Sequence, residues 1–94
     1  MIRHVVFFSV PHTSDLAAVE AGLRLLETNP HADRLAIRRN LKSDSWSREV
    51  DFVVYGEFAD EAALAAYKAH PIYAEATRRV RPLRDLRIAA DFAD

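Results

Sequence analysis

An α+β fold, with a four-stranded antiparallel sheet carrying its helices on one face, is what this 94-residue sequence predicts. Three observations predict it. Four segments are β-branched and aromatic or alternate apolar with polar residues, as strands do. Two stretches between them repeat apolar residues at helical spacing. The resulting order is β-α-β-β-α-β, with no long linker, internal repeat or low-complexity segment. This is the split βαβ, ferredoxin-like pattern. The chain is too short for two domains, so residues 1–94 read as one.

The elements follow in order. "IRHVVFFSV", residues 2–10, is the first strand, and Pro11 ends it. Thr13 or Ser14 offers an N-cap to the first helix, with Asp15 in the first turn where the helix dipole favours an acid. Leu16, Val19, Leu23 and Leu26 then recur at helical spacing until "TNP", Thr28 to Pro30, stops them. Residues 34–41, "RLAIRRNL", form a second strand with Leu35, Ile37 and Leu41 on one side. A polar loop, "KSDSWS", follows at 42–47. Residues 49–58, "EVDFVVYGEF", alternate most clearly and form the third strand. Asp60 caps a second helix through "EAALAAYKA", and Pro71 interrupts it. A residue before proline is pushed out of the helical region, while proline itself suits a first helical turn. His70 therefore sits at a joint, with a further helix from about Pro71 to Val80. After Pro82, "LRDLRIAADF" is the last strand.

One sheet face carries Ile2, Val6, Phe8, Val10, Val50, Phe52, Val54, Leu86, Ile88 and Phe92, and belongs under the helices. The other face has a polar rim of Arg3, Asp51, Glu57, Arg87 and Asp91. Its middle is apolar: Val5, Phe7, Val53, Tyr55 and Ala89. A sheet face that met water would be polar throughout. An apolar centre rimmed by charge is the pattern of a protein interface. Two such faces packed together predict a homodimer with a barrel-like core, a dimeric α/β barrel, with Val5, Phe7, Val53 and Tyr55 at its interface.

Composition narrows the functions. Half of the residues are hydrophobic, against a disordered chain. The absence of cysteine excludes disulfides, Cys-ligated zinc and thiol catalysis. A net charge of −1 exerts no general pull on nucleic acid or an anionic membrane. The first residues lack a signal-peptide cleavage site, and no apolar run approaches the ~20 residues of a membrane span. A soluble protein in the reducing cytoplasm is the expectation. There is no Gly-rich phosphate loop, no nucleophile elbow and no H-x-x-x-H spacing, so neither a cofactor nor a bound metal is expected. "RRVRPLRDLR" packs Arg78, Arg79, Arg81, Arg84 and Arg87 into ten residues. It reads first as a solvated helix end, where cations suit the dipole, and second as a contact for an anionic ligand or nucleic acid. Trp46 in its polar loop suits either a pocket mouth or a dimer edge.

Three stretches carry a family resemblance: "MIRHVVFF", "EVDFVVYGEFADEAALAAYKAHPIY" and a closing strand ending "ADF". The specific marks are His4 in the opening strand, Glu57 and Phe58 followed by Asp60, and the Y-x-x-H-P of Tyr67, His70 and Pro71. Together they make the chain resemble, over nearly its whole length, the stress-responsive α/β-barrel or Dabb domain. The resemblance implies a dimeric α+β barrel. Members include plant stress-associated proteins, uncharacterised bacterial proteins and a polyketide cyclase that closes a linear poly-β-ketone by aldol chemistry. In the cyclase-like members a second histidine follows H-P and acts as acid and base, partnered by the tyrosine that matches Tyr67. Here Tyr73 holds that second position. A further histidine of those members falls on or near Phe52.

Enolisation or cyclisation needs a base beside a carbonyl and a donor for the enolate oxygen. His70 is a candidate base, and Tyr67 and Tyr73 are candidate donors. Tyr67 and His70, three apart, share nearly one helical face. The alternative is that Tyr67 packs in the core and His70 hydrogen-bonds at the joint. His4, on the helix-facing side, is either a satisfied structural histidine or a fourth site residue. Val6, Phe8 and Phe52 would line the apolar pocket beside it. His12 and His31 lie in loops and face solvent. Three functions follow. The first is a pocket that binds or converts a hydrophobic carbonyl compound. The second is a non-catalytic dimeric stress or interaction protein whose own side chains fill the pocket. The third, by fold analogy alone, is a cofactor-free monooxygenase. The residues leave enzyme and binding module both open.

Overall fold

The computed structural model describes residues 1–94. Strand β1 (Ile2–Phe8) leads through a 3-10 turn at Thr13–Asp15 into helix α1 (Leu16–Arg24), which closes in a second 3-10 turn at Leu25–Thr28. Strands β2 (Arg34–Arg39) and β3 (Phe52–Phe58) follow, then helices α2 (Glu61–Ala69) and α3 (Pro71–Val80), and strand β4 (Arg87–Ala93). The sheet order is β2-β3-β1-β4, and every neighbouring pair is antiparallel. This is the ferredoxin-like order expected from the sequence, with the second helix in two pieces, α2 and α3. No helix is long and apolar enough to cross a membrane.

The strands are shorter than their apolar stretches. β1 ends at Phe8, yet Ser9 and Val10 stay buried because side chains take over the pairing. The Leu86 N–H donates to the Ser9 hydroxyl at 2.8 Å, and the Val10 N–H donates to the Asp51 carboxylate at 2.6 Å. β2 ends at Arg39. Lys42 then takes the left-handed conformation with φ of 58°, so the chain turns outward and Leu41, expected on the apolar side, is 91% exposed. β3 starts at Phe52, which leaves Val50 half-buried ahead of it. β4 starts at Arg87, with Leu86 bonded to Ser9 just before it.

Helix boundaries follow local chemistry. The Asp60 carboxylate caps α2 by accepting from the Ala63 N–H at 2.8 Å. Neither Thr13 nor Ser14 caps α1; the chain enters that helix through the 3-10 turn instead, without a side-chain cap. His70 is extended, with φ −70° and ψ 142°, and divides α2 from α3 as Pro71 demands. Its Nδ1 accepts the Ile72 N–H at 3.0 Å, so it is the N-cap of α3. Helices α1 and α3 lie close together at Gly22, where a Cβ would stand 2.9 Å from Val80 Cγ2.

The core lies between helices and sheet: Val6, Phe8, Ile37, Phe52, Val54 and Phe58 from the strands, and Val19, Leu23, Leu64, Tyr67, Ala76 and Val80 from the helices. β4 departs from the expected faces. Its register places Arg87 opposite Phe8, Ala89 opposite Val6 and Asp91 opposite His4. Directly paired residues share a face. Arg87, Ala89 and Asp91, expected on the open face, therefore stand on the helix side. Ile88 and Phe92, expected under the helices, stand on the open face opposite Phe7 and Arg3, about half exposed. The Ser9 N–H donates to the Leu86 carbonyl and the Ser9 carbonyl accepts from the Asp85 N–H, which holds this register, and a one-residue difference flips a whole strand.

Candidate functional site

A cavity of about 50 Å³ lies between α3 and the sheet. Its floor is buried and mostly apolar: Val6 and Phe8 of β1, Val54 of β3, Leu23 of α1, Leu26 of the 3-10 turn after it, and Ala76 and Val80 of α3. Two polar side chains are set into that floor, His4 and Tyr67, each 1% exposed. The more exposed residues at the rim are Tyr73, Thr77, Arg81, Arg84 and Arg87. One water-sized group needs roughly 10–15 Å³, so the space admits a short segment of a ligand.

The polar pair is held by rings and one carboxylate. Alternation along β1 turns His4 inward, and the register of β4 brings Asp91 opposite. The His4 Nδ1 is hydrogen-bonded to an Asp91 carboxylate oxygen. A carboxylate accepts, so Nδ1 carries the proton and Nε2 keeps its lone pair in the neutral ring. The His4 ring stands edge-on to Phe58 at 6.3 Å and to Tyr67 at 6.2 Å between centroids. Tyr67 in turn meets Phe58 at 4.9 Å and Tyr73 at 5.3 Å. Gly56 lies opposite His4 on β3, and its missing Cβ makes room for Phe58, whose ring would stand 2.7 Å from one.

Neither His4 Nε2 nor the Tyr67 hydroxyl has a hydrogen-bond partner in the protein, and neither is sealed from solvent. Burial lowers the His4 pKa, and the charges of Lys68 and Arg87 add to this against the pull of Asp91. Burial raises the Tyr67 pKa, with Tyr73 adding to it. At neutral pH the cavity thus holds an uncharged imidazole with a free nitrogen and a phenol that keeps its proton.

The other expected site residues are placed as follows. Tyr73 is on the cavity wall, and its hydroxyl accepts a hydrogen bond from Arg87 at 3.2 Å. His70 is not in the lining. Its Nδ1 is committed to the Ile72 N–H, and its ring faces His31 at 5.8 Å. The proline that creates the joint also turns the His70 side chain to cap α3 and away from the cavity. Phe52 is fully buried but lies outside the lining. Trp46 is 90% exposed and borders no part of the cavity. His12 is exposed in its loop, as is His31.

Three features escape the sequence. Asp91 becomes visible only through the β4 register. Asn29, read only as part of a helix stop, is buried, and its amide donates to the Tyr67 carbonyl at 3.0 Å, fixing the end of α2. The arginine run divides in two. Arg78 and Arg79 pair with Glu75, whose carboxyl is held down at about 2 by them. Arg81, Arg84 and Arg87 reach the cavity rim instead. No group of three or more His, Asp or Glu side chains is gathered as a metal would need.

Comparison with solved structures returns the same fold. A dimeric ferredoxin-like protein of unknown function from Thermobifida fusca is 26% identical with a TM-score of 0.82, covering 98% of this chain and 89% of that one. A Dabb family protein with a ferredoxin-like fold from Mesorhizobium loti is 23% identical with a TM-score of 0.81, covering 99% and 95%. A Nitrosomonas europaea protein assigned provisionally as an antibiotic biosynthesis monooxygenase is 20% identical with a TM-score of 0.81, covering 100% and 98%. No curated protein matches the chain in sequence. The model of the stress responsive A/B barrel domain, Dabb, matches residues 2–94, and with that the chain belongs to the Dabb family.

Proposed function

We propose that the protein binds a small apolar carbonyl compound between α3 and the sheet and moves a proton on it, with His4 as base. One observation carries this reading. The Asp91 carboxylate engages Nδ1 of His4, while His4 Nε2 and the Tyr67 hydroxyl both stand unpartnered at one cavity. An imidazole oriented by a carboxylate on one nitrogen presents the other as a base. Nε2 takes the proton from the carbon next to the carbonyl. The Tyr67 hydroxyl donates to the carbonyl oxygen as that oxygen gains charge. Return of the proton to the carbon completes one exchange cycle, and its delivery to the oxygen completes an enolisation; in an aldol ring closure the enolate carbon attacks a second carbonyl and the His4 imidazolium gives its proton to the alkoxide that forms. His70 caps α3 in this scheme and takes no part.

The test is exchange of α-hydrogens of small apolar ketones in deuterated water, followed by NMR. The protein should accelerate exchange, and His4→Ala should lower the acceleration about 10²–10⁴-fold, the usual share of a general base. His70→Ala should leave it intact. Equal acceleration by wild type and His4→Ala overturns the reading.

The protein works in this reading as a homodimer joined through the open sheet face. Phe7 is 38% exposed there, Ile88 53% and Phe92 50%, beside Val5, Val53 and Tyr55. Continuous apolar surface of this kind is rarely left to water. The Thermobifida fusca neighbour is described as dimeric. A second copy that covers this face leaves the cavity, on the opposite side of the sheet, open to ligand.

A further inference from the structure

We infer that the rim of the cavity is an oxyanion site, so that the ligand is an amphipathic anion: an apolar body bearing the carbonyl, and a carboxylate or phosphate at its outer end. This rests on the carbonyl pocket proposed above and names the ligand class it takes. Three arginines, Arg81, Arg84 and Arg87, line the cavity, and no Asp or Glu lines it. None of the three forms a salt bridge. The Arg84 side chain donates only to the Asp85 carbonyl, and the Arg87 side chain only to the Tyr73 hydroxyl. The contrast is local. Arg78 and Arg79, just upstream of Arg81, are both neutralised by Glu75.

A helix end accounts for one or two cations in its last turn, but α3 ends at Val80. Arg84 and Arg87 lie beyond it, at the turn and at the first residue of β4. They reach the rim because β4 runs in the register that puts Arg87 on the helix side, opposite Phe8. Guanidinium forks match carboxylate and phosphate oxygens in paired hydrogen bonds. The Tyr73 hydroxyl accepts from Arg87 and so keeps its own hydrogen to donate. The floor, by contrast, is apolar but for His4 and Tyr67. An anion at the rim therefore leaves an uncharged carbonyl segment to enter beside His4.

The experiment titrates the protein with straight-chain keto acids of five to eight carbons and with the methyl ester of each. Calorimetry gives affinity, and the His4 imidazole NMR signals give occupancy of the floor. The acids should bind at least about tenfold more tightly than their esters, an advantage that salt reduces. Arg84→Met with Arg87→Met keeps the apolar stems and should bring acid and ester to equal affinity. Arg78→Met with Arg79→Met should change nothing. Alkyl phosphates and inorganic phosphate are run as competitors. Displacement of the keto acid at lower concentration by an alkyl phosphate assigns the oxyanion as phosphate; the reverse order assigns it as carboxylate. Acid and ester binding equally to wild type, both moving the His4 signals, overturns the oxyanion site and leaves the carbonyl pocket standing. Acid binding that needs Arg84 and Arg87 but never moves the His4 signals keeps the oxyanion site and removes the pocket. No binding by any acid overturns the inference.

Discussion

His4 is charged with two opposing demands, burial and an acidic neighbour, and burial wins. Its pKa lies below the ordinary 6.5, because desolvation disfavours the imidazolium more than Asp91 favours it, with Lys68 and Arg87 nearby. The unfolded chain therefore takes up a proton before the folded one does as pH falls. The stability this group contributes is complete above pH 6.5 and is lost progressively below it, through the folded-state pKa. Urea midpoints between about pH 7 and pH 5 should fall for wild type and fall less for His4→Gln. Equal slopes would remove His4 as the cause. Tyr67 gives a complementary prediction. Its hydroxyl has no protein partner, so Tyr67→Phe should cost under about 1 kcal/mol of stability. If the hydroxyl steadies an enolate, the same change lowers catalysed exchange about 10²–10³-fold. A large stability loss without an activity loss would assign Tyr67 to structure alone.

The elements around the cavity depend on two unusual positions. Gly56 on β3 faces a wall of atoms, with Phe58 Cε2 at 2.7 Å and Leu35 Cδ1 at 3.1 Å from where a Cβ would be. Gly56→Ala should push the Phe58 ring off His4 and Tyr67 and cost about 1–3 kcal/mol as an overpacking change. Thermal denaturation measures the loss, and the ring-current shifts of His4 report the displacement. His70 is the second position. As the N-cap of α3 it satisfies the Ile72 N–H, so His70→Ala should cost about 0.5–2 kcal/mol, and His70→Asn should recover most of it. Unchanged ligand affinity in both variants is the expected companion. The Y-x-x-H-P stretch is thus divided between two tasks: Tyr67 faces the cavity while His70 and Pro71 build the joint that starts α3.

At the scale of the molecule, the two faces of the sheet differ. Helices cover one face. The other has Phe7, Ile88 and Phe92 in partial contact with water, ringed by Arg3, Glu57 and Arg38. Arg3 is tied to Tyr55, Glu57 and Asp94, and hydrogen bonds to Asp94 and Tyr55 raise its already high pKa. Light scattering at micromolar concentration should give twice the chain mass. Phe7→Glu should give a monomer of reduced stability, because it places an unpaired charge in the contact. A wild-type monomer under these conditions would rule out the sheet-face dimer.

Periodicity and turn chemistry determined the element order, the ferredoxin-like sheet and the position of the joint at His70, since local steric and hydrogen-bonding preferences are written along the chain. Alternation in β1 and β3 was equally legible: His4, Val6 and Phe8 point inward, as do Phe52 and Val54. β4 was not. Its apolar residues, Ile88 and Phe92, read as core because the helix-covered face is the usual home for them. A sheet apolar on both faces makes that inference ambiguous, and only pairing with β1 resolves it. Everything that depends on β4 register was hidden with it: the meeting of Asp91 with His4, the arrival of Arg87 at the rim beside Arg81 and Arg84, and the full extent of the open apolar face. The contact that marks this register, His4 with Asp91, joins residues 87 apart, and no local pattern encodes such a distance.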